Sequence, residues 1–215
     1  MKPGPARILI CPECGESKEV MTLISGNTFN ADFWSDGKMY AHYLPQTSPI
    51  QRCPHCGDYF WMPDQEMRTA QDFHTSFELG RLTYAETKEG VKKLLGTEPE
   101  AQKELAIRIA FIQAYNDEFV RLDKIRKRLR VKTSVPTEED RNFFNECQES
   151  VYGLFIAQDK RSSAAESLRE LGRLDECIAM IESMERIDPN DELDYDTQIL
   201  RHAKKGISAV FYRRI

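Results

Sequence analysis

Two Cys-Pro-x-Cys-Gly units constrain this chain more than any other feature: Cys11-Pro12-Glu13-Cys14-Gly15 and Cys53-Pro54-His55-Cys56-Gly57. Two residues between cysteines let both sulfurs point at one ion from a tight turn. The glycine after the second cysteine relieves backbone crowding where amides turn toward sulfur. Two such turns supply four thiolates, the closed tetrahedral set of a structural Zn²⁺ site. Cys11, Cys14, Cys53 and Cys56 are therefore the expected ligands of one ion. A closed shell leaves no position for a substrate, so catalysis at the metal is not expected. His55 inside the second unit and His42 downstream of the first are expected on the surface. The other two cysteines, Cys147 and Cys177, fall on apolar stripes and read as core thiols.

The rest of the composition bounds the fold. The chain has 215 residues, 40% hydrophobic and 30% charged, enough apolar material for a core. No long apolar run follows Met1-Lys2-Pro3-Gly4-Pro5, so no export signal is expected. Cysteines in such a chain argue for metal ligands or buried thiols over disulfides, and for a cytoplasmic location. No stretch is long enough to cross a membrane, so no membrane partner is expected. Composition changes near Pro63-Asp64. Both tryptophans, Trp34 and Trp61, lie before it, and the text afterwards is helical. The expected class is α+β: a β-rich domain at 1–64 and an all-α domain at 65–215.

Within the first domain, Thr28 to Phe33 alternates polar and apolar, the period of a half-buried strand. Asp36-Gly37 is a favoured pair for a two-residue type I′ turn. That turn sets Trp34 opposite Met39 and Phe33 opposite Tyr40, and puts Phe29, Ala31, Phe33, Tyr40, His42 and Leu44 on one face. Strands at Arg7–Ile10, about Glu19–Ile24 and Tyr59–Met62 complete the sheet. Helices are expected from near Thr83, Pro99, Thr137, Lys160, Asp175 and Asp194. Thr137-Glu138-Glu139-Asp140 reads as a cap with an acidic first turn. Between Ile107 and Tyr115 the text is apolar on nearly all sides, marking the centre of the helical domain. Phe144, Cys147, Val151, Leu154 and Phe155 form one stripe, and Leu200, Ala203, Ile207, Val210 and Phe211 another.

The paired cysteine units resemble a zinc ribbon, spread over about residues 7–62, with the 28–44 hairpin filling the 38 residues between the pairs. They also resemble rubredoxin, where four cysteines hold one redox-active iron. Gly15 is followed by Glu16-Ser17-Lys18, which lacks the aromatic pattern of that family. Thiolate chemistry alone does not separate zinc from iron. The stretch 158–191 resembles one tetratricopeptide repeat, through Ala165 and Leu168, then Leu171 to Glu176 at the turn, Cys177, Ile181, Met184 and Pro189. An early aromatic of that pattern is replaced near Arg161. The resemblance implies a protein-binding scaffold of stacked helix pairs. The whole arrangement, with its Trp34 to Lys38 hairpin, is similar to uncharacterised bacterial zinc-ribbon proteins, a resemblance that implies no activity.

Charge weighs against a nucleic-acid reader in the first domain. Residues 1–64 carry five basic and seven acidic side chains, and four thiolates around a divalent ion add negative charge. The aromatic residues there, among them Phe29, Trp34, Tyr59 and Trp61, read either as core or as a ligand surface. One patch points the other way. Arg121, Lys124, Arg126, Lys127, Arg128, Arg130 and Lys132 face only Asp123, and Lys124, Arg126, Lys127, Arg128 and Arg130 are candidate contacts for nucleic acid or an acidic partner. No phosphate loop, nucleophile elbow or metalloprotease motif is present, and His74 and His202 stand alone. The expected function is a non-enzymatic protein-interaction adaptor with one structural zinc. The alternatives are a nucleic-acid-binding protein using the 121–132 cluster, and an iron-bearing electron carrier.

Overall fold

The computed structural model describes residues 2–5, 7–20, 22–41, 44, 48–65, 67–69, 82–122, 134–184 and 191–213. Small antiparallel strand pairs precede a run of helices, an α+β chain. Packing divides it into two compact units: Met1–Ala31 with Tyr40–Glu100, and Asp32–Met39 with Ala101–Ile215.

In the first unit, β2 (Arg7–Ile10) pairs antiparallel with β3 (Ser17–Val20) on one side and β9 (Met67–Thr69) on the other. Leu9 sits opposite Lys18 and Met67. The short pair β1 (Lys2–Pro3) and β4 (Leu23–Ser25) stands apart, as does β7 (Ile50–Arg52) with β8 (Tyr59–Trp61). Each Cys-Pro-x-Cys-Gly turn joins two paired strands, the first between β2 and β3 and the second between β7 and β8. Leu9, Val20 and Phe60 form a small core with Cys11 and Cys53.

Helix α1 (Tyr84–Leu95) also belongs to this unit, although its text reads like the helices after it. Thr83 caps it: Glu86 N–H donates to Thr83 Oγ1 at 3.3 Å, and Thr83 N–H donates to Glu86 Oε2 at 2.9 Å. Its buried face is Thr87, Gly90, Val91 and Leu94. Gly90 is the contact point. A Cβ there would lie 2.8 Å from Tyr59 Cδ1 and 2.9 Å from Ile50 Cγ2, both on buried strands. In an exposed helix alanine would add about 1 kcal/mol. Here overpacking costs roughly 1–3 kcal/mol. Gly90→Ala is expected to destabilise this unit, measured by denaturant unfolding; a gain in stability would show that α1 does not rest on β7 and β8.

The second unit holds α2 (Ala101–Asn116), which continues as a π-helical turn at Asp117–Arg121, then α3 (Glu138–Ala157), α4 (Arg161–Glu170), α5 (Leu174–Glu182) and α6 (Tyr195–Lys204). Successive helices pack on one another, and α4 also meets α6. As the apolar text implies, α2 is central. Ile107 and Phe111 are fully buried, Phe111 meets Phe143 at a tilt, ring centres 4.6 Å apart, and Tyr115 stacks on Phe144 at 4.3 Å. Thr137 caps α3 as expected, and Asp194, near which a helix is expected to start, caps α6. Gly172, with φ of +77°, makes the sharp turn between α4 and α5. Ala165, Leu168, Cys177 and Ile181 are buried at their contact. The last apolar stripe is not one helix. Gly206, at φ +73°, ends α6, Ile207 is exposed, and Val210 and Phe211 are buried from an extended segment.

The expected hairpin register is corrected. Trp34 N–H donates to the Lys38 carbonyl at 2.9 Å, and Gly37 N–H donates to the Trp34 carbonyl at 3.0 Å. The loop is therefore Ser35-Asp36-Gly37, three residues with glycine at φ +76°, and Trp34 faces Lys38 rather than Met39. The strand at 28–33 shortens to β5 (Asp32–Phe33), paired with β6 (Met39–Tyr40). Phe29 is 75% exposed, so it shares no buried face with Ala31. His42 lies outside the described residues.

The reason for the register lies far away in sequence. Asp36 accepts from Asn116 Nδ2 at 3.1 Å and is ion-paired with Arg121, and its backbone carbonyl accepts from Gln113 Nε2 at 3.2 Å. Lys38 pairs with Asp117. On its other edge the hairpin joins the C-terminal segment: Ser35 N–H donates to Phe211 O at 2.9 Å, and Arg213 N–H to Phe33 O at 2.7 Å. Behind the tip, Glu170 Oε2 accepts from Asn116 Nδ2 and Gln148 Nε2, both at 3.0 Å. Burial raises the Glu170 carboxyl well above its ordinary value, helped by Glu166 and Asp36 and opposed by Arg169 and the Asn116 bond. The folded protein therefore holds it protonated where the unfolded chain would ionise. This contribution is full below the ordinary value of 4.5 and is lost as pH rises through the raised folded value. Glu170→Gln is expected to flatten the alkaline side of the melting-temperature profile. Parallel profiles for both proteins would contradict it.

Candidate metal centre

The four sulfurs of Cys11, Cys14, Cys53 and Cys56 converge within 4.8 Å of one another. Cys11 Sγ lies 3.9 Å from Cys56 Sγ, and Cys14 Sγ lies 3.7 Å from Cys53 Sγ. A tetrahedron with metal–sulfur bonds of about 2.3 Å has edges of about 3.8 Å. The spacing matches one ion held by four thiolates and excludes disulfides, which need about 2.05 Å. No other group of His, Cys, Asp or Glu among the described residues converges in this way.

Both knuckles use the same backbone. Cys11 N–H donates to Glu16 O at 2.9 Å and Gly15 N–H to Cys11 O at 3.0 Å. In the second, Cys53 N–H donates to Asp58 O at 2.7 Å and Gly57 N–H to Cys53 O at 2.9 Å. Gly15 and Gly57 stand at φ +73° and +77°, a region other residues enter only with strain. Cys11 and Cys53 are buried, while Cys14 and Cys56 face out.

The thiols divide as a crowded set must. Burial opposes ionisation of Cys53, but the Cys56 and His55 amides donate to its sulfur and bring it down to about 6. The Glu16 amide favours the Cys14 thiolate, yet burial and the other three sulfurs push it up to about 12. One thiolate forms readily and the next resists, until a cation compensates the charge. A divalent ion would be held by these four side chains alone, with no open position for chemistry.

Helix α1 braces the second knuckle. Lys93 pairs with Asp58, Arg52 approaches Glu86 at 3.5 Å, and Tyr59 O–H donates to Glu89 Oε2 at 2.9 Å. Burial, then the Glu89 bond, raises the Tyr59 phenol to about 12, so it stays a donor. These braces escape sequence reasoning, because the partners lie some 30 residues apart with no spacing rule to join them.

The other candidate residues separate. His55 is exposed and outside the sulfur cluster. Tyr59, Phe60 and Trp61 are buried, as core residues are. Trp34 belongs to the helical unit, under the Arg121 guanidinium at 4.8 Å and edge-on to Tyr212 at 6.0 Å. Cys147 and Cys177 are buried thiols, which burial raises to about 11 and about 12. Lys124, Arg126, Lys127, Arg128, Arg130 and His74 lie outside the described residues. Arg121, the first residue of that basic run, is buried and paired with Asp36 and Asp117, so it is not a surface cation. His202 packs face to face on Phe211 at 3.8 Å, a structural contact. No described helix is long and apolar enough to cross a membrane. Comparison of the chain with protein-family models, curated proteins and solved structures found no match.

Proposed function

We propose that the chain is a non-enzymatic cytoplasmic adaptor, in which a zinc-ribbon-like module with one structural Zn²⁺ is joined to tetratricopeptide-like helices that bind another protein. The observation that carries the reading is the closed set of four sulfurs at tetrahedral spacing, which suits an ion that stabilises a fold rather than one that meets substrate. Zinc is favoured over iron because the first knuckle lacks the rubredoxin aromatic pattern. The buried small residues Ala165 and Cys177 where α4 meets α5, with the Gly172 turn, support the repeat-like reading.

Metal analysis of the purified full chain is the first test. One zinc per chain is expected, and a red iron protein that bleaches on reduction would overturn the assignment. The partner is sought by crosslinking the full chain in its native cell and mapping the crosslinked residues. Crosslinks concentrated on α3 to α6 are expected. Crosslinks to nucleic acid alone would replace the adaptor reading with the nucleic-acid one. The full chain is needed, because residues 32–39 complete the helical unit and a cut at 64 removes them.

A further inference from the structure

The helical unit contains a cavity of about 310 Å³ that plays no part in the adaptor reading. Pockets for small molecules start near this size, and a cavity of about 150 Å³ already admits a benzene ring. Its walls come from the hairpin tip, α2, α3, α4, the first residue of α6 and Arg213. One side is apolar, with Ile112, Val151 and Phe155. The other is polar, and the state of each charge there decides what fits.

The acidic groups on the cavity are already answered. Asp36 is held by Arg121 and Asn116. Glu166 takes both of its bonds from Arg169, at 2.7 and 2.6 Å. Glu170 receives two amide donors on Oε2, while Oε1 has no protein partner. The cation is not answered. Arg213 lies with its guanidinium 4.1 Å from the Tyr195 ring centre, and its Nε is buried without a hydrogen-bond acceptor. No carboxylate among the described residues pairs with it. Tyr195 itself is occupied, donating to Ser35 O at 2.7 Å. The cavity thus presents an unmatched cation and an apolar wall.

We propose that this cavity binds a small organic carboxylate, with the carboxylate on Arg213 and an apolar body against Ile112, Val151 and Phe155. A guanidinium matches a carboxylate in a two-pronged geometry. A cationic ligand would meet the charge of Arg213, while Asp36 and Glu166 are already paired with arginines. A phosphate dianion would set two charges against one arginine, beside the carboxylates of Asp36 and Glu166. At about 30 Å³ per water-sized share, the space holds roughly ten non-hydrogen atoms.

The test titrates the full-length, metal-loaded protein by calorimetry. The probes are acetate, hexanoate and phenylacetate, with phenylacetamide and 2-phenylethylamine as neutral and cationic counterparts. Saturable binding of hexanoate or phenylacetate at one per chain is expected, with acetate and phenylacetamide weaker and the amine inert. Arg213→Gln is expected to weaken the carboxylate roughly 10- to 100-fold, the loss of one charge-assisted bond. Its guanidinium has no hydrogen bond to the protein, so the fold should persist, checked by circular dichroism. Glu170→Gln leaves Arg213 in place and should bind within a few-fold of wild type. Binding of the amine in preference to the acid, unchanged binding in Arg213→Gln, or no saturable binding of any carboxylate at millimolar concentration would each overturn the proposal. None of these results touches the adaptor reading, which rests on metal content and crosslinks.

Discussion

Stripping metal from the purified protein, or replacing Cys11 and Cys53 by serine, is expected to unfold the first unit and leave the helical unit standing. The metal is expected to supply much of the stability of this unit. Its strands are two to four residues long. Two of the five buried residues in its core cluster, Cys11 and Cys53, are themselves ligand candidates. A structural zinc contributes about 10–16 kcal/mol of apparent folding free energy, comparable to the whole stability of a domain, about 5–15 kcal/mol. Without a cation, four thiolates this close oppose one another's ionisation, in line with the raised Cys14 thiol. The loss should extend to α1. A 12-residue helix is marginal alone, and α1 is held by Gly90 on β7 and β8 and by Lys93 on Asp58. Hydrogen exchange after chelation should show rapid exchange at 7–20, 50–61 and 84–95, with protection retained at 138–182. Protection of 84–95 that survives with the helices would place α1 outside the metal-dependent unit.

The four-cysteine site was legible because its information is local: two cysteines two residues apart, followed by glycine, specify a knuckle without help from the rest of the chain. The α+β class, the helix start near Thr83 and the cap at Thr137 were legible for the same reason. What escaped was settled at long range. Asp36-Gly37 is compatible with a two-residue turn and with a three-residue loop, since both need a glycine at positive φ. Asn116 and Arg121, 80 and 85 residues away, hold Asp36 at the middle of the loop. Helix α1 reads like the helices after it, because amphipathic periodicity reports that a face is buried, not against what. Arg121 reads as part of a basic surface run, yet two carboxylates bury it. Periodicity also gave no sign of the cavity, whose lining comes from four helices, a hairpin and the C-terminal segment.

Arg169→Met is expected to be the most damaging single substitution in the helical unit, at about 3–5 kcal/mol. Arg169 is fully buried, and its guanidinium is saturated. It makes two bonds to Glu166, donates to the Ile207 and Ala209 carbonyls at 2.7 and 2.8 Å, and reaches Ser35 Oγ at 3.4 Å. Its plane also lies over Phe211 at 4.9 Å. One side chain thus ties α4 to the hairpin tip and to the C-terminal segment. Methionine fills similar volume, so the cost is not a cavity. It leaves Glu166 a buried carboxylate without its cation, and two backbone carbonyls without donors. Replacing Glu166 by leucine in the same protein removes the stranded charge, so the double variant should recover part of the loss. The unsatisfied carbonyls of Ile207 and Ala209 remain, so recovery should be incomplete. Urea unfolding followed by circular dichroism measures all three proteins. If Arg169→Met unfolds within about 1 kcal/mol of wild type, the value of one ordinary hydrogen bond, then this network does not hold the helical unit together. The same variant should free residues 207–213 to exchange. That release would displace Arg213 and with it the anchor proposed for the carboxylate, so a protein still folded but exchanging there should lose phenylacetate binding.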